Sequence, residues 1–233
     1  MLSVITIINT IINKIGASVC HQLPERSLLI GNLLMPVCAR CNGIYVGFLI
    51  SAIILFIIYR KRENELPPLY IIIILILFVT STIADGIVSN FSPIHTNNYF
   101  RFITGFLSGS AAVVFLYPIF VFQYYRESIN TKIFSKPLKF IIFILLNLLF
   151  ITITLIRINF LNYFYYYLSA FAVIFTFYFV NLVMIFLIPY FSQKAGKLFS
   201  KFLVLPSIIS ILLSAGELFL SYKFHQYLLK LTI

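Results

Sequence analysis

Leu69-Tyr70-Ile71-Ile72-Ile73-Ile74-Leu75-Ile76-Leu77-Phe78-Val79-Thr80-Ser81-Thr82-Ile83-Ala84-Asp85-Gly86-Ile87-Val88 is a run of twenty residues with one charge, Asp85. As a helix it rises about 30 Å, the thickness of bilayer hydrocarbon. Pro67 and Pro68 stand just ahead of it, where proline suits a helix start. Five more runs read the same way: Gly43 to Tyr59, Phe100 to Phe122, Leu138 to Ile156, Tyr163 to Tyr190 and Leu203 to Tyr222. The composition agrees, with 61% hydrophobic, 18% aromatic and 10% charged residues among 233 and a mean hydropathy of +1.04. Soluble domains carry about a quarter charged residues. A water-soluble globular enzyme is therefore excluded, and so is an intrinsically disordered chain. The expected fold is an all-α, polytopic transmembrane helical bundle, with residues 1–233 as one integral membrane domain.

The first segment, Leu2 to Val19, is apolar but carries Asn9, Asn13 and Lys14. It fits either a short seventh span or an interfacial helix. It lacks the basic start of a signal peptide, and Val19 is too large for a lipoprotein cleavage site before Cys20. Pro118, Pro189 and Pro206 fall inside or near the ends of spans, where membrane helices tolerate them.

Net charge is +11. Basic residues on loops and headgroups account for it, and no cluster of them is placed to follow a nucleic-acid backbone. The lipid bilayer is the expected partner. Arg60, Lys61, Arg62, Arg126, Lys132, Lys136, Lys139, Lys194, Lys197 and Lys201 occupy one set of alternate loops. Arg26, Arg40, Arg101, Arg157, Lys223 and Lys230 occupy the other. The positive-inside rule puts the denser set in the cytoplasm of a multi-pass cell-membrane protein. Residues 20–42 then face the extracytoplasmic side. Tyr163, Tyr165, Tyr166 and Tyr167 are expected in the outer aromatic belt.

Gly43, Gly47 and Ser51 recur every four residues on one span, and Gly105 and Gly109 on another. Small residues at that spacing let helix backbones approach closely in lipid. These two helices are expected to touch, which brings Cys41 near Arg101.

All three cysteines fall in one region, Cys20-His21-Gln22-Leu23-Pro24-Glu25-Arg26-Ser27 and Cys38-Ala39-Arg40-Cys41-Asn42-Gly43. Between them, residues 26–30 and 33–37 read as two short strands around Gly31-Asn32. The hairpin returns Cys38 toward Cys20. Cys20, His21, Cys38 and Cys41 together offer three thiolates and an imidazole, a closed tetrahedral set that suits zinc. His21 can instead orient a ligand from behind or act as an acid or base. Cys-x-x-Cys also fits a thiol-disulfide oxidoreductase, with the Cys38 or Cys41 thiol activated by Arg40 and Cys20 resolving. A structural disulfide with one free thiol, in a transporter or scaffold, is the third reading.

These motifs carry a resemblance. Cys20-His21-Gln22-x-Pro24-x-Arg26-Ser27, then Pro36-x-Cys38-x-Arg40-Cys41-x-Gly43-Ile44-Tyr45-x-Gly47, resembles an uncharacterised family of small prokaryotic multi-pass membrane proteins, a domain of unknown function. Asp85-Gly86 followed by Asn98-x-x-Arg101-x-x-Thr104-Gly105-x-x-x-Gly109 matches as well, so the likeness covers about the first 110 residues. Asn42 stands where the family pattern has threonine. The resemblance implies a membrane location and a shared site, and no established activity.

An ionisable residue within a span is costly and points to function. Asp85 and Arg101 lie across one outward loop and are expected either to pair structurally or to form a site in which Arg101 keeps Asp85 ionised. Asn98 and Thr104 add polar groups at that level, although Thr104 and Ser81 can simply bond back to their own helices. Glu217, in the last span, can complete the site or serve a helix interface. His95 and His225 read as isolated, solvated residues at the membrane surface. Phosphate-loop, dinucleotide, metalloprotease and nucleophile-elbow motifs are absent from the sequence, which names no substrate.

Overall fold

The computed structural model describes residues 2–30, 33–59, 62–91, 96–156 and 162–231. Among the described residues seven α-helices dominate: α1 (Leu2–Val19), α2 (Ala39–Ile58), α3 (Leu69–Phe91), α4 (Asn98–Tyr124), α5 (Pro137–Ile156), α6 (Asn162–Phe186) and α7 (Lys201–Leu231). Two small sheets join them. β1 (Ser27–Ile30) pairs antiparallel with β2 (Leu33–Cys38), and β3 (Glu63–Glu65) pairs parallel with β4 (Ile129–Lys132). Among the described residues six helices, α2 to α7, are long and apolar enough to cross a membrane, in the six runs where the sequence predicts spans. The protein is an all-α membrane bundle.

The boundaries differ in three places. α2 begins at Ala39, so Arg40, Cys41 and Asn42 lie on its first turn rather than in the hairpin. Nothing after Pro36 opposes a helix there, and Gly43 serves packing. α6 ends at Phe186, before Pro189, whereas α7 runs on to Leu231. α1 docks on α7, where the Ser221 hydroxyl donates to the Ser18 carbonyl.

The core is the α2–α4 pair. A Cβ on Gly43 would lie 2.2 Å from the Phe102 carbonyl oxygen, and one on Gly47 2.3 Å from that of Phe106. From the other side, a Cβ on Gly105 would lie 2.3 Å from the Arg40 carbonyl oxygen, and one on Gly109 2.0 Å from that of Ile44. The two backbones are in direct contact, so only glycine fits. Polar groups pin the neighbours. Ser51 donates to Asn147 of α5 at 2.7 Å and sits 2.8 Å from Ser110 of α4. Interhelical bonds of this kind join helices where lipid gives no hydrophobic drive.

Tyr165 and Tyr166 correct the aromatic-belt expectation. Both are buried, while Tyr163 and Tyr167 are exposed. The Tyr165 hydroxyl donates to Asn42 Oδ1 at 2.6 Å, and Asn42 Nδ2 donates to Ser169 at 2.9 Å. The Asn42 amide thus fastens α2 to α6. Asn42→Leu strands the buried Tyr165 hydroxyl and is expected to cost about 1–3 kcal/mol. Thermal unfolding in detergent measures it.

Candidate functional site

The first turn of α2 distributes four consecutive residues around the helix, because each advances about 100°. Arg40 reaches α3, Asn42 reaches α6, Gly43 packs on α4, and Cys41 faces the end of α1. Cys38 caps the same helix from the end of β2. Cys38 and Cys41, three apart at a helix start, fall on one side.

The hairpin supplies the third thiol. Ser27 pairs with Cys38 across β1 and β2, with a bulge between Ser27 and Leu29. The Cys38 N–H donates to Cys20 Sγ at 3.2 Å. Gln22 takes a left-handed φ of 53°, and its N–H donates to the same sulfur at 3.5 Å. The Gln22 side chain donates to the Asn13 and Pro36 carbonyls at 2.9 and 2.7 Å, tying α1 to β2. The turn at Gly31-Asn32 lies outside the described residues.

The sulfurs of Cys20, Cys38 and Cys41 all lie within 4.8 Å of one another, and all three cysteines are free. Hydrogen bonds from the Cys38 and Cys41 thiols, reinforced by the two backbone N–H groups, hold the Cys20 thiol well below its ordinary range. Its bond to Cys20 pushes the Cys38 thiol up. The α2 N-terminus adds a positive end beside this sulfur. A groove of about 390 Å³ opens on all three cysteines, with His21, Gln22 and Arg26 on its walls. His21 is not within the close-packed thiol group. Its ring lies against that of His225, at 4.9 Å between centroids, so His225 is not isolated. His95 lies outside the described residues.

Asp85 pairs with Arg40, not with Arg101. Arg40 Nε donates to Asp85 Oδ2 at 2.8 Å, and its Nη2 contacts the same oxygen. Arg40 Nη2 also donates to Ser89 Oγ at 3.1 Å. Ser89 and Thr96 hydroxyls are 3.0 Å apart, and Arg101 Nε donates to Thr96 at 3.0 Å. Arg101 Nη1 lies 3.4 Å from Asn98 Oδ1, and Asn98 Nδ2 donates to the Glu25 and Ser27 carbonyls at 3.0 and 3.1 Å. One network therefore links α2, α3, α4 and the hairpin. Asp85 and Arg101 share it through Arg40, Ser89 and Thr96. Arg40 wins the carboxylate because the close contact of α2 with α4 holds it at the α3 surface.

Thr104 bonds back to the Phe100 and Arg101 carbonyls, both at 3.1 Å, and Ser81 to Phe78 at 2.7 Å. Glu217 accepts from Asn181 of α6 at 2.8 Å, and Asn181 also donates to Ser214 at 3.0 Å. Glu217 thus serves the α6–α7 interface. The sequence reading passed over Ser89, Thr96 and Asn147. Asn147, the lone amide in a twenty-residue apolar helix, carries a signal of its own.

Residues 20–115 match the family described as "Predicted membrane protein (DUF2085)". An uncharacterized protein of Methanocaldococcus jannaschii is 36% identical over 109 residues, 47% of this chain and 68% of that protein. An uncharacterized protein of Methanothermobacter thermautotrophicus is 31% identical over 96 residues, 41% of this chain and 82% of that protein. The chain belongs to this family of membrane proteins. No solved structure matches it. The matched region holds the three thiols, His21, the Asp85–Arg40 pair and the α2–α4 contact, and ends within α4.

Proposed function

We propose that this is a multi-pass membrane protein that holds a zinc-class ion through Cys20, Cys38 and Cys41, with His21 closing the tetrahedron, on its extracytoplasmic face. The gathering of three sulfurs within 4.8 Å, from the end of α1, the end of β2 and the start of α2, carries the reading. Three thiolates with one imidazole are a closed set, and thiolate donors favour zinc over harder cations. Backbone N–H groups aimed at Cys20 Sγ favour its anionic form, the form that ligates. A closed centre here clamps α1 to α2, directly above the network of Asp85 and Arg101.

Native mass spectrometry of protein purified in mild detergent without chelator tests this. One metal ion per chain and three reduced thiols are expected, and serine at Cys20, Cys38 or Cys41 should empty the site. A metal-free chain with one disulfide overturns the proposal in favour of redox or structural bridging. A metal-free chain with three thiols overturns it too.

A further inference from the structure

His21 follows α1 and His225 lies near the end of α7, at opposite ends of the chain, yet their ring centroids are 4.9 Å apart. Imidazoles that share one ion each place a nitrogen about 2.0–2.1 Å from it, which sets their ring centres roughly 5 Å apart. His21 is exposed and His225 half-buried. Both line a groove of about 770 Å³ beside α1, α6 and α7, and so does Cys20. Cys20 and His21 also line the smaller groove on which Cys38 and Cys41 open. His21 thus stands where the two grooves adjoin.

We propose that His21 and His225 form a second site for a zinc-class divalent ion, from which the ion passes to the three thiols with His21 as the shared ligand. This rests on the reading of the thiols as a metal centre. Two imidazoles, with water in the remaining positions, make a weak and exchangeable site. Three thiolates and an imidazole hold the same ion more firmly, so transfer runs toward sulfur. The step is ligand exchange with no change of oxidation state. The bonds to His225 and water break, bonds to three sulfurs form, and the thiol protons leave to water in the groove.

Cobalt(II) serves as the probe, titrated into the full-length protein in detergent. Cobalt bound to thiolate shows sulfur-to-metal charge-transfer absorption, and cobalt bound to imidazole alone does not. Cobalt without that absorption is expected first, and the absorption should follow as the ion passes to the thiols. The variant with Cys20, Cys38 and Cys41 all changed to serine should keep the ion without that absorption. His225→Phe, which retains a ring against His21 but no donor, should lose that ion and still fill the thiols, roughly tenfold more slowly or worse. A triple-serine variant with unchanged helical circular dichroism that binds no cobalt overturns the proposal. His225→Phe filling the thiols at the wild-type rate also overturns it. A wild-type protein without charge-transfer absorption, whose remaining ion is lost in His225→Phe, overturns the thiol centre and the transfer but upholds the histidine site.

Discussion

Asp85→Ala should lower the thermal unfolding midpoint in detergent more than any other single side-chain truncation at the thiol-bearing end of the bundle. Its carboxylate is fully buried and carries the ion pair with Arg40, whose side chain is 23% exposed. Removing one partner of a buried pair leaves the other charge uncompensated, at a cost of about 3–5 kcal/mol. Among the described acidic groups no other pairs with Arg40, so the loss has no local substitute. Asp85→Leu combined with Arg40→Leu should recover most of that stability, because a packed apolar pair avoids the desolvation both charges suffer. If the wild type holds the proposed ion and a stable double variant does not, the pair positions the first turn of α2 for the thiols. A double variant as unstable as Asp85→Ala would show that the network beyond the pair depends on the charges.

The second large effect is expected at Gly109. A Cβ there would sit 2.0 Å from the Ile44 carbonyl oxygen, and backbone cannot rotate aside as a side chain can. Gly109→Ala should therefore push α2 away from α4 and cost about 1–3 kcal/mol or more, the range for overpacked cores. Gly216→Ala on α7 is the control, since a Cβ at Gly216 meets nothing within 4 Å. There the change should be neutral or stabilise by up to about 1 kcal/mol, because alanine favours the helix. Equal midpoints for the two variants would show that α2 and α4 do not pack backbone to backbone.

The spans were legible because twenty apolar residues in a row leave a helix few alternatives in lipid. The hairpin was legible as two short apolar runs around Gly31-Asn32, and the gathering of the thiols followed from it. The partner of Asp85 was not. Arg101 is nearer in sequence across the α3–α4 connection, but Arg40 is delivered by a contact between helices separated by a whole span. Tyr165 and Tyr166 have the composition of a membrane-surface belt, yet the Asn42 amide gives Tyr165 a buried partner that no local pattern discloses. His225 looked solitary for the same reason. Its neighbour lies some two hundred residues earlier, and only the docking of α1 on α7 brings them together.

The Arg40–Asp85 pair also bears on how the chain enters the bilayer. α2 and α3 are consecutive, and each carries one member of the pair toward the same end. An aspartate entering lipid alone is penalised by about 2.5–3.5 kcal/mol at a helix centre, and less toward its end. Presented together with Arg40, it crosses as half of a neutral couple. Because the close contact of α2 with α4 holds Arg40 at the α3 surface, the two charges cancel fully once α4 has closed against the glycine face of α2.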